Sequence, residues 1–417
     1  MRLSPCAVAL LWILSADLRA QDWPQWRGLT GDNHAASSAT APVNWDESTN
    51  LVWNVPVPGR GHSSPTVIGD RIYLTTADAE QQTQSLLIYQ RHTGELLTEK
   101  IAHQGGLTAK LHPNNSHASS TVASDGERVF ALFNQNGAVW VTAFDLDGQQ
   151  LWQERAIGFE PKIYEFGFGS SPVVVDDKVI VASEYDGAES GIVALDTTTG
   201  KQRWKIDRPQ SLSYSTPARF RQGDQVLLVT SGNLLFAAYD PADGSVAWST
   251  EGTTMATCGT MVWNEQRGLA FASGGYPLKF TAAVRTDGDH GIVWSNYKIK
   301  CYEQSMLVVG DYLYAVTDPG LVHCLRCSDG EEQWKQRLGG RGVSSSPVLI
   351  DGKIYVTSER GTTYVFTATP DGFELLGENQ LGSECFATPT PIGNRLYHRY
   401  AVGTGAERQE YLAAIGE

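Results

Sequence analysis

A short phrase returns eight times along this 417-residue chain, and it constrains the fold more than any other feature of the sequence. Each copy is an apolar strand, a polar turn closing on Gly or Asp, and a second strand centred on Trp or Leu. The centres run from Trp53 to Leu376 at a mean spacing of about 46 residues. A repeat of this length is typical of solenoids and propellers. The clearest copies are Ala143–Ile157, Val193–Ile206, Ala237–Thr250 and His323–Leu338, and the weaker ones centre on Trp53, Leu97, Trp294 and Leu376.

Each repeat also opens with a recognisable segment, as in Ser63–Thr76, Ser170–Ser183 and Ser345–Ser358. These segments share a small polar pair, a proline, an apolar strand, an Asp/Gly turn and an alternating strand, so one repeat contains four short antiparallel strands. Four strands in a repeat of this length is the content of a propeller blade. We therefore predict an all-β fold, an eight-bladed β-propeller of four-stranded antiparallel blades.

The two ends of the repeat region are out of phase. Leu51–Val57 has the pattern of a fourth strand, whereas Ala387–Glu417 supplies a first, second and third strand. The two ends can complete one blade together, which removes the exposed edges of an open ring. We predict that residues 50–417 form a propeller closed by pairing of its N- and C-terminal strands. Residues 21–49, which contain three Trp, are predicted to lie across the ring as a cap or belt.

The first twenty residues are predicted to be a secretory signal peptide. Arg2 gives a basic start, Ala7–Leu14 is an apolar run too short to span a bilayer, and Leu18–Ala20 resembles a cleavage site. An uncleaved anchor is the alternative. No later segment is apolar enough to cross a membrane, so we expect a secreted or periplasmic chain. We also expect the chain to be a monomer. A net charge of −14 without a basic run argues against nucleic acid and anionic lipid as partners.

The phrase AxDxxTGxxxW, following a strand opened by SSPxV, resembles the pyrroloquinoline-quinone-like (PQQ-like) repeat family. This family includes quinoprotein alcohol dehydrogenases and the propeller of the outer-membrane protein assembly lipoprotein. The resemblance covers roughly residues 50–417 and implies the propeller fold. Its cofactor-binding dehydrogenases carry an adjacent Cys-Cys pair over the quinone, a Trp floor, and a calcium ion near a catalytic Asp. This chain has no Cys-Cys dipeptide.

Five Cys follow the predicted signal peptide, and an odd number leaves at least one thiol free or paired between chains. A Cys258–Cys301 disulfide is one possibility, because the two residues belong to adjoining blades. The CxxC pair Cys324–Cys327 is followed by Ser328, so it is not a haem-attachment motif. Without a second pair of ligands it is a weak zinc signal, and a structural role is favoured.

The residue before the first strand of each blade marks one mouth of the central channel. His, Glu and thiol groups there could bind a metal, and aromatic rings could stack on a sugar or quinone. The weak metal candidates are His62, His117 and Glu303. The alternative is a water-filled channel with a merely polar rim. The predicted ring is His62, His117, Gly169, Tyr214, Cys258, Glu303, Ser344 and Phe386, with Arg60, Phe168 and Tyr302 just upstream of ring positions.

Two long loops, His103–Ser116 and Gly158–Gly169, are predicted to reach the same face, where binding residues concentrate on rigid scaffolds. We predict an exported, non-catalytic binding or scaffold propeller of the bacterial cell envelope, with a protein or glycan ligand on its loop face and no cofactor. No nucleophile or acid–base motif identifies a catalytic residue. The alternatives are a PQQ-dependent quinoprotein oxidoreductase that uses PQQ with calcium on alcohols or sugars, and a metal- or glycan-binding enzyme at the channel mouth.

Overall fold

The computed structural model describes residues 22–340 and 342–417, so the predicted signal peptide lies outside the described residues. Short 3-10 helices at Glu265–Arg267 and Gly405–Glu407 interrupt an otherwise all-β chain. In the described residues, no helix is long and apolar enough to cross a membrane. The strands are β1 (Leu51–Val57), β2 (Thr66–Ile68), β3 (Arg71–Asp78), β4 (Thr83–Gln90), β5 (Leu96–Gln104), β6 (Ala123–Ser124), β7 (Arg128–Gln135), β8 (Ala138–Asp145), β9 (Gln150–Gly158), β10 (Val173–Val175), β11 (Lys178–Ser183), β12 (Gly191–Asp196), β13 (Gln202–Asp207), β14 (Ala218–Gln222), β15 (Gln225–Gly232), β16 (Leu235–Tyr239), β17 (Val246–Glu251), β18 (Val262–Asn264), β19 (Leu269–Gly274), β20 (Phe280–Arg285), β21 (Ile292–Asn296), β22 (Leu307–Val309), β23 (Tyr312–Val316), β24 (Leu321–Arg326), β25 (Glu332–Arg337), β26 (Val348–Ile350), β27 (Lys353–Thr357), β28 (Thr362–Thr367), β29 (Leu375–Gln380), β30 (Thr390–Ile392), β31 (Arg395–Val402) and β32 (Gln409–Gly416).

These strands form eight four-stranded antiparallel sheets, which confirms the predicted eight-bladed propeller. Blades 1 to 7 each use four consecutive strands, from β2–β5 through β26–β29. Blade 8 has the order β1-β32-β31-β30, so the predicted closure by the two chain ends is also confirmed. Its closing pair runs from Leu51 opposite Ile415 to Val57 opposite Glu410.

A buried ion pair reinforces the closure between blades 8 and 1. Arg399 Nε donates to Glu410 Oε2 at 2.8 Å, and both side chains are buried. Arg399 Nη1 also donates to Ser63 Oγ and the Thr75 carbonyl of blade 1, at 2.9 and 2.8 Å. Glu410 Oε1 accepts from the Gly61 backbone N–H at 3.0 Å. Because a buried charge is costly unless it is paired and hydrogen-bonded, this network favours the closed ring.

Repeat tryptophans connect several of the blades to the blade that follows. Trp152 Nε1 donates to the Thr197 carbonyl at 3.0 Å, in the turn between the third and fourth strands of the following blade. In the same turn, a Cβ on Gly200 would lie 2.7 Å from the Trp152 ring, and the Gly200 φ is +70°. Only glycine meets both conditions without strain. The same contact recurs in the pairs Trp53–Gly94, Trp204–Gly244 and Trp294–Gly330.

A collar of hydroxyl groups links the blades around the channel. In each link, a backbone N–H donates to the hydroxyl of the equivalent residue in the next blade, as Ser64 N–H does to Thr121 Oγ1 at 3.0 Å. Seven such links are formed in the described structure. They explain why each repeat opens with small polar residues. The collar consists of Ser64, Thr121, Ser171, Thr216, Thr260, Ser305, Ser346 and Thr388.

Residues 22–49 run across one end of the channel, which we call the closed face. Trp23 exchanges two backbone hydrogen bonds with Val67, at 2.8 and 3.0 Å. Farther along, Ala35 N–H donates to the Leu349 carbonyl at 2.9 Å, and Thr40 N–H donates to the Gly393 carbonyl at 2.8 Å. The opposite end, which carries residues 105–116 and 159–169, is the loop face. This end of the channel is where the predicted site residues lie.

Candidate functional site

A cavity of about 240 Å³ occupies the channel at the loop face. Its inner end is formed by collar hydroxyls of blades 1 to 4 and by the indole of Trp26. Trp26 Nε1 donates to Thr260 Oγ1 at 3.0 Å. Thr260 is the collar hydroxyl that would accept from Thr216 if the collar had an eighth link, so the indole takes the place of that donor. His112, Asn114 and Phe166 line its outer end. The cavity therefore has a floor from the N-terminal segment and a rim from the two long loops.

Seven of the eight predicted ring positions lie around this cavity. Each lies two residues before a collar hydroxyl, so the repeat register places these side chains at equal height around the channel. Tyr302, one of the predicted upstream residues, also lines the wall. The seven are His62, Gly169, Tyr214, Cys258, Glu303, Ser344 and Phe386.

His117 lies outside the ring, and Ser119 takes the place predicted for it. The segment His117–Thr121 contains three consecutive hydroxyl residues, so the sequence permits more than one alignment with SSP. The collar bond from Ser64 to Thr121 selects the register in which Ser119 is equivalent to His62. The desolvated environment of His117, followed by the charge of Arg60, lowers its imidazole pKa.

Phe168 and Arg60 also lie away from the cavity lining. Phe168 is buried against Phe159, with ring centroids 5.2 Å apart, and supports the loop from behind. Arg60 Nη2 donates to the Pro113 carbonyl at 3.2 Å, so it holds the other long loop. Both residues are therefore positioned to support the rim.

His62 stacks on Phe386 across the junction of blades 8 and 1, with ring centroids 4.4 Å apart and an interplanar angle of 29°. Desolvation, followed by the charges of Arg60, Arg399 and Arg408, holds the His62 pKa well below its usual value. The imidazole is therefore neutral at neutral pH. Its Nε2 is buried and has no hydrogen-bond partner in the described structure.

Glu303 lies on the wall formed by blades 5 to 7. Burial is the main cause that raises its carboxyl pKa, and the nearby carboxylates of Glu359 and Asp318 raise it further. The hydrogen bond from Ser344 and the charge of His112 act in the opposite direction, but the pKa remains above its usual value. Ser344 Oγ lies 2.5 Å from Glu303 Oε2 and 2.7 Å from Glu359 Oε1. A hydroxyl has one proton to donate, so these two carboxylates compete for it unless one is protonated.

The cysteines are all unpaired among the described residues. The possible Cys258–Cys301 disulfide is therefore absent from this structure. Burial, followed by the negative charges of Glu303 and Asp318, raises the pKa of the Cys258 thiol. Cys324 and Cys327 are fully buried in cores at the blade interfaces. A thiol with a raised pKa is a weak nucleophile, so Cys258 has the character of a small wall residue.

The rim residues His112 and Phe166 were not singled out by the repeat register. Their loops meet through a 3.2 Å hydrogen bond from His112 N–H to the Phe166 carbonyl, and the two rings are in edge contact with centroids 5.3 Å apart. Loop length was the only sequence signal for them. Trp26 carried no repeat signal at all, because it precedes the first repeat.

The eight blades, the tryptophan contacts and the closed ring define a PQQ-like propeller. The family model described as "Outer membrane protein assembly factor BamB" matches residues 10–154, 137–295 and 289–372. The chain belongs to this family.

Relatives of the chain carry the same description. The assembly factor BamB of Burkholderia pseudomallei is 24% identical over 371 residues, which cover 76% of this chain and 87% of that protein. The Salmonella typhimurium protein is also 24% identical, over 63% of this chain and half of its own length. The alignment with the Escherichia coli protein, at 23% identity, likewise spans half of that protein.

Solved structures share the fold at low sequence identity. BamB from Moraxella catarrhalis has a TM-score of 0.61 at 15% identity, over 87% of this chain and 96% of that chain. A europium-containing methanol dehydrogenase has a TM-score of 0.66 at 10% identity, over 96% of this chain and all of that chain. The quinohemoprotein alcohol dehydrogenase of Comamonas testosteroni has a TM-score of 0.66 at 12% identity, over 97% of this chain and 82% of that chain. These likenesses concern the fold alone.

The cavity lining does not fit PQQ held with calcium. Cys258 has no adjacent Cys with which to form a pair over a quinone. Throughout residues 22–340 and 342–417, no three His, Cys, Asp or Glu side chains are placed to hold a metal ion, so His62, His117 and Glu303 do not form such a group. Among the residues that line the cavity, Glu303 is the one that carries a carboxylate.

Proposed function

We propose that this chain is an exported, non-catalytic propeller of the bacterial cell envelope that binds a protein partner through its loop face. The proposal includes a role in outer membrane protein assembly, the function named for its relatives, a periplasmic location and no cofactor. Membership of that family supports the role. The observation that carries the binding mode is an exposed apolar surface on the loops of blades 3 to 5.

This apolar surface consists of side chains that a monomer would leave in water. Ile163 is 70% exposed, Leu278 is 65% exposed and Tyr297 is 64% exposed. Large exposed apolar patches on a folded domain mark interaction sites. Aliphatic side chains favour a protein partner over a glycan, because sugars are recognised through polar groups and aromatic faces. The surface comprises Ile163, Phe166, Leu234, Met255, Tyr276, Leu278 and Tyr297.

Direct contacts join the loops that carry this surface. Tyr164 and Tyr276 hydroxyls are 2.7 Å apart, which connects the blade 2–3 loop to blade 5. Ala256 N–H donates to the Tyr276 carbonyl at 3.3 Å, and Leu234 N–H donates to the Thr254 carbonyl at 3.1 Å. The apolar side chains therefore belong to one connected set of loops, as a docking surface requires.

A photo-cross-linking residue at position 278 tests the proposal in the native cell envelope. We expect cross-links to a protein of the outer membrane assembly machinery, identified by mass spectrometry. Val246 is the matched control, because it is 62% exposed and lies at the closed-face end of β17. Equal cross-linking at positions 246 and 278, or partners unrelated to outer membrane assembly, would contradict the proposal.

The alternative function is a PQQ-dependent oxidoreductase acting on alcohols or sugars, and it has its own test. Titration of the purified protein with PQQ and calcium should give no saturable change in absorbance or Tm, because the lining lacks the Cys pair and the ligand group. A tight, saturable shift, with dye reduction when alcohols or sugars are added, would establish the alternative.

A further inference from the structure

The cavity at the channel mouth has an acidic side chain on its wall that no Lys or Arg of the described residues pairs with. Glu303 contributes a carboxylate to its wall, and the Ser344 hydroxyl that can donate to this carboxylate also lies within hydrogen-bond distance of Glu359. Within residues 22–340 and 342–417, no Lys or Arg forms an ion pair with Glu303 or Glu359. The neighbouring Asp318 differs, because Lys300 Nζ lies 2.9 Å from its carboxylate. This wall therefore carries negative charge that a cation would stabilise.

Two further atoms in the lining residues have no partner. The His62 Nε2 and the Tyr214 hydroxyl are buried without a hydrogen bond among the described residues. An interaction with the Asn114 backbone raises the His62 pKa, against the larger lowering effects of burial and the nearby arginines. Both atoms are buried, so they belong to the polar surroundings of the wall rather than to the surface that a ligand touches.

Aromatic rings complete the wall. Tyr214, Tyr302, Phe386 and Phe166 line the cavity, and Trp26 forms its floor. A ring face attracts an ammonium or guanidinium group, most strongly where water is excluded. One such contact already exists beside the cavity: Lys300 Nζ lies 4.9 Å from the Tyr302 ring centroid while it pairs with Asp318.

Two of the three arginines whose charges act on His62 are paired with carboxylates, whereas Arg60 forms no ion pair among the described residues and leaves positive charge on the blade 1 side. Arg399 is paired with Glu410, and Arg408 is paired with both Glu384 and Glu410. Their charges are therefore largely neutralised at the blade 8 wall.

We infer that the cavity binds an alkylammonium group, held by the Glu303 carboxylate and the surrounding aromatic rings. An ammonium has three N–H donors and no acceptor, so it can donate to the Glu303 carboxylate and to the hydroxyl and amide oxygens of the lining. The group can come from a free amine or from a lysine side chain of a protein. This inference goes beyond the proposed function and does not depend on it, because it rests on Glu303 and the axial cavity, which share only Phe166 with the apolar surface.

Isothermal titration calorimetry of the whole purified chain tests the inference, with butylammonium chloride as the probe and ionic strength held constant with NaCl. We expect saturable binding of butylammonium and none of 1-butanol, which has the same shape without the charge. Glu303→Gln preserves the size of the side chain and removes its charge, so binding should weaken about tenfold. The control Glu374→Gln makes the same change at an exposed position and should bind as the wild type does.

A second variant, Phe386→Leu, removes one aromatic face and should weaken butylammonium binding several-fold. Unchanged melting temperatures verify that both cavity variants fold. Equal affinity of wild type and Glu303→Gln, equal binding of 1-butanol, or no saturable heat would overturn the inference. N-acetyl-lysine amide distinguishes the two sources: tighter binding than butylammonium indicates a protein lysine, and weaker or equal binding indicates a free amine.

Discussion

The two ends of the channel are built from different kinds of contact. At the closed face, residues 22–49 hold the blades through backbone hydrogen bonds and through buried Trp23 and Trp45. At the loop face, the crossing loops meet through exposed side chains, such as Lys110 with Glu165 and Tyr164 with Tyr276. Regions with few buried contacts open at lower free energy than the rest of a fold. The closed face therefore stabilises the ring, and the loop face is expected to open more readily.

The largest effect is expected from Trp23→Ala at the closed face. Trp23 is 6% exposed and belongs to the core between blades 8 and 1, so its removal should lower the free energy of unfolding by about 3–5 kcal/mol. Chemical denaturation measures this change. Leu29→Ala, in the same segment but 51% exposed, is the control and should stay within about 0.5 kcal/mol of wild type. Similar losses of unfolding free energy in both variants would show that the burial of Trp23 does not stabilise the ring.

Acid should weaken the loop face before the closed face. Burial lowers the pKa of His103, at the loop-face end of β5, to about 4. Below an unfolded pKa of about 6.5 the unfolded chain binds the proton more readily, so stability falls as pH drops from 6.5 towards 4. The loss should be on the order of 1–3 kcal/mol. Hydrogen exchange across this range should show earlier opening of residues 105–116 than of residues 22–49.

His103→Gln checks the cause of that pH dependence. The variant should have a shallower fall in unfolding free energy between pH 6.5 and 4, because Gln does not titrate. His92→Gln, at an exposed position, should retain the wild-type slope. An unchanged slope in His103→Gln would assign the acid sensitivity to other groups.

A smaller effect is expected where the closed-face segment reaches the cavity. Trp26→Phe removes the hydrogen bond to Thr260 and should cost about 1 kcal/mol of unfolding free energy. Trp53→Phe also removes one indole hydrogen bond, to the Arg91 carbonyl, at a blade interface far from the cavity. The two variants should lose similar stability in denaturant titrations, whereas only Trp26→Phe should alter butylammonium binding. Altered binding in Trp53→Phe would mean that the floor is not specific to Trp26.

The smallest effect is expected from Tyr164→Phe at the loop face. It removes an exposed hydrogen bond to Tyr276, so the free energy of unfolding should change by less than about 0.5 kcal/mol. Hydrogen exchange in residues 159–169 should nevertheless become faster, because this bond joins the loop to blade 5. Protection equal to wild type would show that the loop is held by its backbone contacts alone.

The repeat register predicted much of the candidate site because blade-opening residues occupy equivalent heights in every blade. It placed His62 and Glu303 at one mouth although 241 positions separate them in the chain. It misplaced His117, since the run of hydroxyl residues after it fits two registers and only the collar bond to Thr121 chooses between them. Three lining residues lie outside the repeat, so the repeat pattern could not predict their positions along the channel. They are Trp26, His112 and Phe166.

The sequence by itself determined the number of blades, their four strands and the closure between the chain ends. These features follow from local patterns, namely strand alternation, turn glycines and the spacing of tryptophans, which recur in every blade. Only the tertiary structure decided which residues of the N-terminal segment and of the two long loops line the channel. Trp26 closes one end and two loops cross the other through contacts between residues distant in the chain. Such contacts depend on the folded geometry of the whole ring, so a local sequence pattern cannot predict them.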